Sequence, residues 1–78
     1  MSRYIRKVEG EDFFIIYCNI DDMLWAGMYE NVITAKTLIE LQGHISTEKF
    51  NEIYYKITII QGIISLDKLN EIIDEVLK

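Results

Sequence analysis

The sequence predicts a helix-dominated α+β fold, an N-terminal β-hairpin followed by three antiparallel helices, with an all-α helical bundle as the alternative. Three observations predict it. Residues 4–8 and 13–20 are rich in β-branched and aromatic side chains and frame the turn-forming Glu9-Gly10-Glu11-Asp12. The twelve residues from Gln42 to Ile53 recur from Gln61 to Ile72, offset by 19, with eight identities. Beyond residue 47, apolar side chains recur at helical spacing.

The hairpin is assigned to 1–20. A helix starting at Asp12 competes for the same segment, because Phe13, Ile16, Tyr17, Ile20 and Leu24 also have helical spacing. Such a helix is apolar all round for two turns, which a chain of 78 residues can hardly bury. Strands are therefore preferred.

The first helix is assigned to 22–42. Asp21 is its expected N-cap, and Leu24, Met28, Val32, Ala35 and Ile39 line one face. Gly27 and Asn31 count against a continuous helix; a break near Glu30-Asn31, or a third strand over 23–29, is the alternative.

The repeat, 42–53 and 61–72, sets the remaining boundaries. Gly43 and Gly62 are expected to stop helices, since glycine adopts the left-handed conformation without a Cβ clash. Ser46 and Ser65 are expected to cap the next helices, at 47–60 and 66–77. Ile45 with Phe50, and Ile64 with Leu69, have the spacing of hydrophobic staples, and Glu48 and Asp67 complement the helix dipole. Short connections make sequential helices antiparallel neighbours. The stripe Phe50, Ile53, Tyr54, Ile57 and Ile60 is core-facing, and Tyr55 and Ile59 give the middle helix a second apolar strip.

Residues 38–57 and 57–77 resemble the SHOCT (short C-terminal) domain pattern, L-x-x-L followed by G-x-[IV]-[ST]-x-x-E-F. Leu38, Leu41, Gly43, Ile45, Ser46 and Phe50 match it, with Glu48 one place before the family's acid. The resemblance implies a helical hairpin that mediates oligomerisation and has no catalytic residues.

Length, 78 residues and 9.2 kDa, leaves room for one domain over 1–78, and 50% apolar with 27% charged residues is the balance of a folded chain. Cys18 is the only cysteine and His44 the only histidine. A disulfide within the chain is excluded, a zinc site is not expected, and a reducing, cytoplasmic setting follows. The start lacks the apolar stretch of a signal peptide, and the longest apolar run, Phe13 to Cys18, is far below the roughly 20 residues that span a bilayer. Fifteen isoleucines against two alanines is a bias common in AT-rich bacterial and phage genomes.

The net charge is −5, but Arg3, Arg6 and Lys7 make residues 1–8 +3, leaving −8 on the rest. A body this acidic repels phosphate backbones, so nucleic acid is not an expected partner. His44 sits beside Ser46 with no third group to orient it, and its repeat equivalent is Ile63. No enzyme activity and no cofactor are expected. The function read from the sequence is a non-catalytic protein–protein interaction module, a small regulator or inhibitor that binds a partner protein. The alternatives are an acidic mimic of nucleic acid that blocks a nucleic-acid-binding enzyme, and a small DNA-binding regulator. Apolar surplus in so small a chain points to a homodimer, with Trp25, Tyr29, Tyr55 and Ile59 as the candidate interaction face.

Overall fold

The computed structural model describes residues 3–18 and 24–78, with side chains described at 3–17 and 27–78. The elements in order are β1 (Arg3–Lys7), β2 (Phe14–Cys18), β3 (Leu24–Tyr29), α1 (Val32–Leu41), α2 (Thr47–Thr58), β4 (Ile63–Ile64) and α3 (Leu66–Leu77). The α+β class holds. The architecture differs from a hairpin followed by three antiparallel helices, because the four strands form one mixed sheet in the order β1-β2-β3-β4. β1, β2 and β3 are antiparallel neighbours, and β4 lies parallel to β3 at the far edge.

The hairpin is closed by the turn around Gly10, with the Val8 amide donating to the Phe13 carbonyl at 3.1 Å. The second departure concerns 22–42. The expected cap Asp21 lies outside the described residues; from Leu24 the chain runs as strand to Tyr29, and helix begins only at Val32, which is the alternative of a third strand with a break near Asn31. Two local causes act together. Gly27 has φ +114°, which an α-helix cannot accommodate, and Asn31 supplies the cap: its Oδ1 accepts from the Thr34 amide at 2.8 Å and from the Thr34 hydroxyl at 2.9 Å.

The two halves of the repeat share their caps and differ in what precedes them. Ser46 Oγ accepts from the Lys49 amide at 3.2 Å, and Ser65 Oγ from the Lys68 amide at 3.1 Å. Gly43, φ +100°, follows the α1 C-cap Gln42 directly. Gly62, φ +120°, lies three residues beyond the α2 C-cap Ile59. It does not stop α2, which ends at Thr58, but turns the chain into β4. There Ile63 and Ile64 pair with Met28 and Tyr29, and the Ile64 carbonyl accepts from the Glu30 amide at 2.9 Å.

The helices lie against one face of the sheet. α1 touches β1, β2 and β3, α2 touches β3, and α3 packs on both α1 and α2. The core between them holds Ile16, Tyr29 and Ile64 from the sheet with Ala35, Leu38, Phe50, Ile53, Ile57, Leu69, Ile72 and Val76 from the helices. Ile5 and Phe14 pack at its margin. Ile45 packs against the edge of this core and Ile64 lies within it.

Candidate functional site: the open face of the sheet

Strand side chains alternate between faces, and the core fixes which side is which. On β1, Ile5 points to the helices, so Tyr4 and Arg6 take the opposite side. On β2, Phe14 and Ile16 point to the helices, so Ile15 and Tyr17 take the opposite side. Beyond the β3 irregularity, Tyr29 and Ile64 are the core pair, which leaves Met28 and Ile63 facing outward. The register joins these into one surface: Tyr4 opposite Tyr17, Arg6 opposite Ile15, Met28 opposite Ile63. The Tyr4 and Tyr17 rings stack, with centroids 5.3 Å apart and planes 28° from parallel. No described helix packs on this side. Tyr4 is 40% exposed and Ile63 50%.

A second apolar surface is on α2. Tyr55 and Ile59 stand one turn apart and are 66% and 63% exposed. Of the four residues expected to form an interaction face, these two are on the surface together. Tyr29 is not: it is fully buried in the core. Burial, and after it the charge of the neighbouring Tyr54, push its hydroxyl well above the ordinary tyrosine range. The reason is topological. As part of a helix Tyr29 would share a face with Trp25, whereas as the last residue of β3 it is turned to the helices. Trp25 pairs with Ile16 through its backbone, and its side chain lies outside the described set.

The outward positions on β2 were legible in one respect. Phe13 to Cys18 is apolar without alternation, and a strand with two apolar faces needs cover on both. The Met28–Ile63 pair had no comparable signal, since β4 is only two residues long.

The polar surfaces are of a different kind. Glu71, Asp74, Glu75 and Lys78 line a shallow depression on α3. Lys56 donates to Glu75 at 2.9 Å, which holds the Glu75 carboxyl below its usual range and raises Lys56, and Lys68 stands 3.5 Å from Glu71. His44 is exposed in the α1–α2 turn, and the Ser46 hydroxyl beside it is engaged as a cap. Among the described residues no group of three or more His, Cys, Asp or Glu side chains is placed to hold a metal ion. Among the described residues no helix is long and apolar enough to cross a membrane. Comparison with protein-family models, with curated proteins and with solved structures finds no match.

Proposed function

We propose that the chain is a non-catalytic protein-interaction module, a small regulator or inhibitor that works by binding a partner protein in the cytoplasm. The observation that carries this reading is the open sheet face. Tyr4, Ile15, Tyr17, Met28 and Ile63 lie on the side away from the helices, with Arg6 as the charged residue among them. Contiguous apolar surface of this kind marks sites of association. The tyrosines suit it further, since a phenol ring offers both apolar area and a polar tip.

The acidic-mimic alternative draws less support from the charges. Its natural surface is α3, and there Lys56 and Lys68 already engage Glu75 and Glu71. The DNA-binding alternative meets the same helix with the wrong sign, Lys68 and Lys78 against Asp67, Glu71, Asp74 and Glu75.

The test is a crosslinked pull-down from the native host with the tagged chain and with the double variant Tyr4→Ser, Ile63→Ser. The expected result is a partner protein retained in stoichiometric amount by the parent and lost by the variant, with the variant's thermal midpoint within a few degrees of the parent's. Retention of no protein by the parent overturns the interaction reading. Equal retention by both chains overturns the sheet face as its site.

A further inference from the structure

We propose that the free edge of β1 takes an extended, acidic segment of a partner protein as an added strand. The inference rests on the interaction reading above and specifies the kind of partner. Among the described residues β1 pairs only with β2 and is the outer strand of the sheet. Because the Val8 amide donates inward to Phe13, antiparallel alternation turns the amides and carbonyls of Arg3, Ile5 and Lys7 outward along that edge. An edge of this kind is a template for a further strand. The opposite edge, β4, is two residues long and offers far less.

Charge decides the occupant. Between Arg3 and Lys7 there are three cations and no acid in a chain of net charge −5. Arg6 and Lys7 are both exposed, and neither forms an ion pair among the described residues. A second copy pairing antiparallel about Ile5 would set Lys7 opposite Arg3 twice, and like charges opposed across strands are destabilising. A nucleic acid could meet the cations but has no strand backbone to bond the outward amides, and the rest of the chain repels it. An acidic strand satisfies both the outward amides and the exposed Arg6 and Lys7. Its outward-facing side chains would lie beside the Tyr4–Tyr17 stack, which extends the edge contact onto the open face.

The test is an amide-resolved NMR titration of the full chain with synthetic heptapeptides, one Glu-rich on both faces of an extended strand, one Lys-rich in the same way, with a thymidine oligonucleotide as a third probe. The acidic peptide is expected to shift the amides of residues 3–8 saturably and to slow exchange of the Lys7 amide. Its affinity should fall between about 50 and about 500 mM salt, as exposed charge attraction is screened. Arg6→Glu should abolish the response. Lys7→Pro should bind about fivefold more weakly than Lys7→Ala, the effect of one net hydrogen bond, because only proline removes the outward amide. No shift at residues 3–7 with millimolar acidic peptide, or an equal response to the basic peptide or the oligonucleotide, overturns the proposal. The two readings fail separately. A partner recovered by pull-down that binds Arg6→Glu as well as the parent removes the edge and leaves the interaction module, whereas recovery of no partner removes the module whatever the peptides do.

Discussion

A methyl group on Gly27 would stand 2.8 Å from the Tyr29 hydroxyl oxygen and 3.0 Å from Ile57 Cγ2. The buried ring of Tyr29 thus occupies the space that any other residue at 27 would need. The same glycine has φ +114°, and the β2–β3 register slips there, Phe14 facing Tyr29 while Ile16 faces Trp25. The glycine therefore serves the kink in β3 and the seating of Tyr29 at once. Gly27→Ala adds overpacking of about 1–3 kcal/mol to backbone strain of about 1 kcal/mol. The expected outcome is a thermal midpoint lower by about 10 °C or more. Gly43→Ala is the control, since φ there is +100° but nothing lies within 4 Å; it should lose only the strain. Equal losses at the two positions would show that the Tyr29 contact does not matter.

The three helix caps should not be equivalent. Ser46 and Ser65 each accept one backbone amide, and their alanine variants should cost about 1 kcal/mol, or about 4–8 °C. Asn31 does more, because its Oδ1 also accepts the hydroxyl of Thr34, which is fully buried. Asn31→Ala leaves that hydroxyl without this acceptor, which adds about 1–3 kcal/mol. Chemical denaturation of the three variants gives the order directly. Asn31→Ala should be the least stable, and adding Thr34→Val to it should recover part of the loss. An Asn31→Ala midpoint equal to that of Ser46→Ala would remove the second role.

The contrast between these caps shows what was legible in the sequence. Ser46 and Ser65 stood out because the repeat displays the same device twice, each with a staple isoleucine before it and an acid after it. The hairpin was legible for a similar local reason, a turn signal between two β-branched segments. Asn31 reads as a weak point in a helix, with a break there or a third strand over 23–29 as the alternative, because helical spacing of Leu24, Met28 and Val32 outweighs one polar residue. What overrode that spacing is tertiary. Tyr29 is buried only if residues 24–29 run as a strand, and β4 exists only because that strand offers Ile63 and Ile64 an edge. One member of the candidate face was lost with it, since Tyr29 went to the core while Tyr55 and Ile59 stayed on the surface. The outward side of the sheet was half visible, in the unbroken apolar run of β2 but not in the Met28–Ile63 pair.

Alkaline stability should depend on Tyr29. Its hydroxyl titrates well above the ordinary range, with burial as the larger cause, whereas in the unfolded chain it ionises near about pH 10. Above that pH the unfolded chain has released a proton that the folded chain retains, so stability falls as pH rises. The raised Lys56, bonded to Glu75, acts in the same direction: its contribution is present below the ordinary lysine range and lost above it. Glu75, lowered by the same bond, contributes above the ordinary carboxylate range and loses that contribution as pH falls. Urea midpoints measured from about pH 8 to about pH 11 should therefore drop less steeply in Tyr29→Phe than in the parent. Glu75→Gln should flatten the acid limb and, by releasing Lys56, also ease the alkaline one. Parallel alkaline limbs for parent and Tyr29→Phe would show that Tyr29 is not the group responsible.

The exposed pair on α2 separates self-association from monomeric packing. Tyr55 and Ile59 are 66% and 63% exposed within one chain, so replacing both by serine should change the stability of an isolated monomer by no more than about 0.5 kcal/mol per site. If two copies meet through this strip, the consequences differ. Light scattering of the parent then gives twice the 9.2 kDa chain mass, and the parent's thermal midpoint rises with protein concentration. The double variant Tyr55→Ser, Ile59→Ser would then scatter as a monomer and melt independently of concentration. The exposure of both side chains, one turn apart beside the Lys56–Glu75 bridge, leads us to expect the dimer. A parent mass of 9.2 kDa at every concentration tested, with the serine variant equally stable, sinks it. Binding of a partner would then be tested first at the sheet, by the Tyr4→Ser, Ile63→Ser pair.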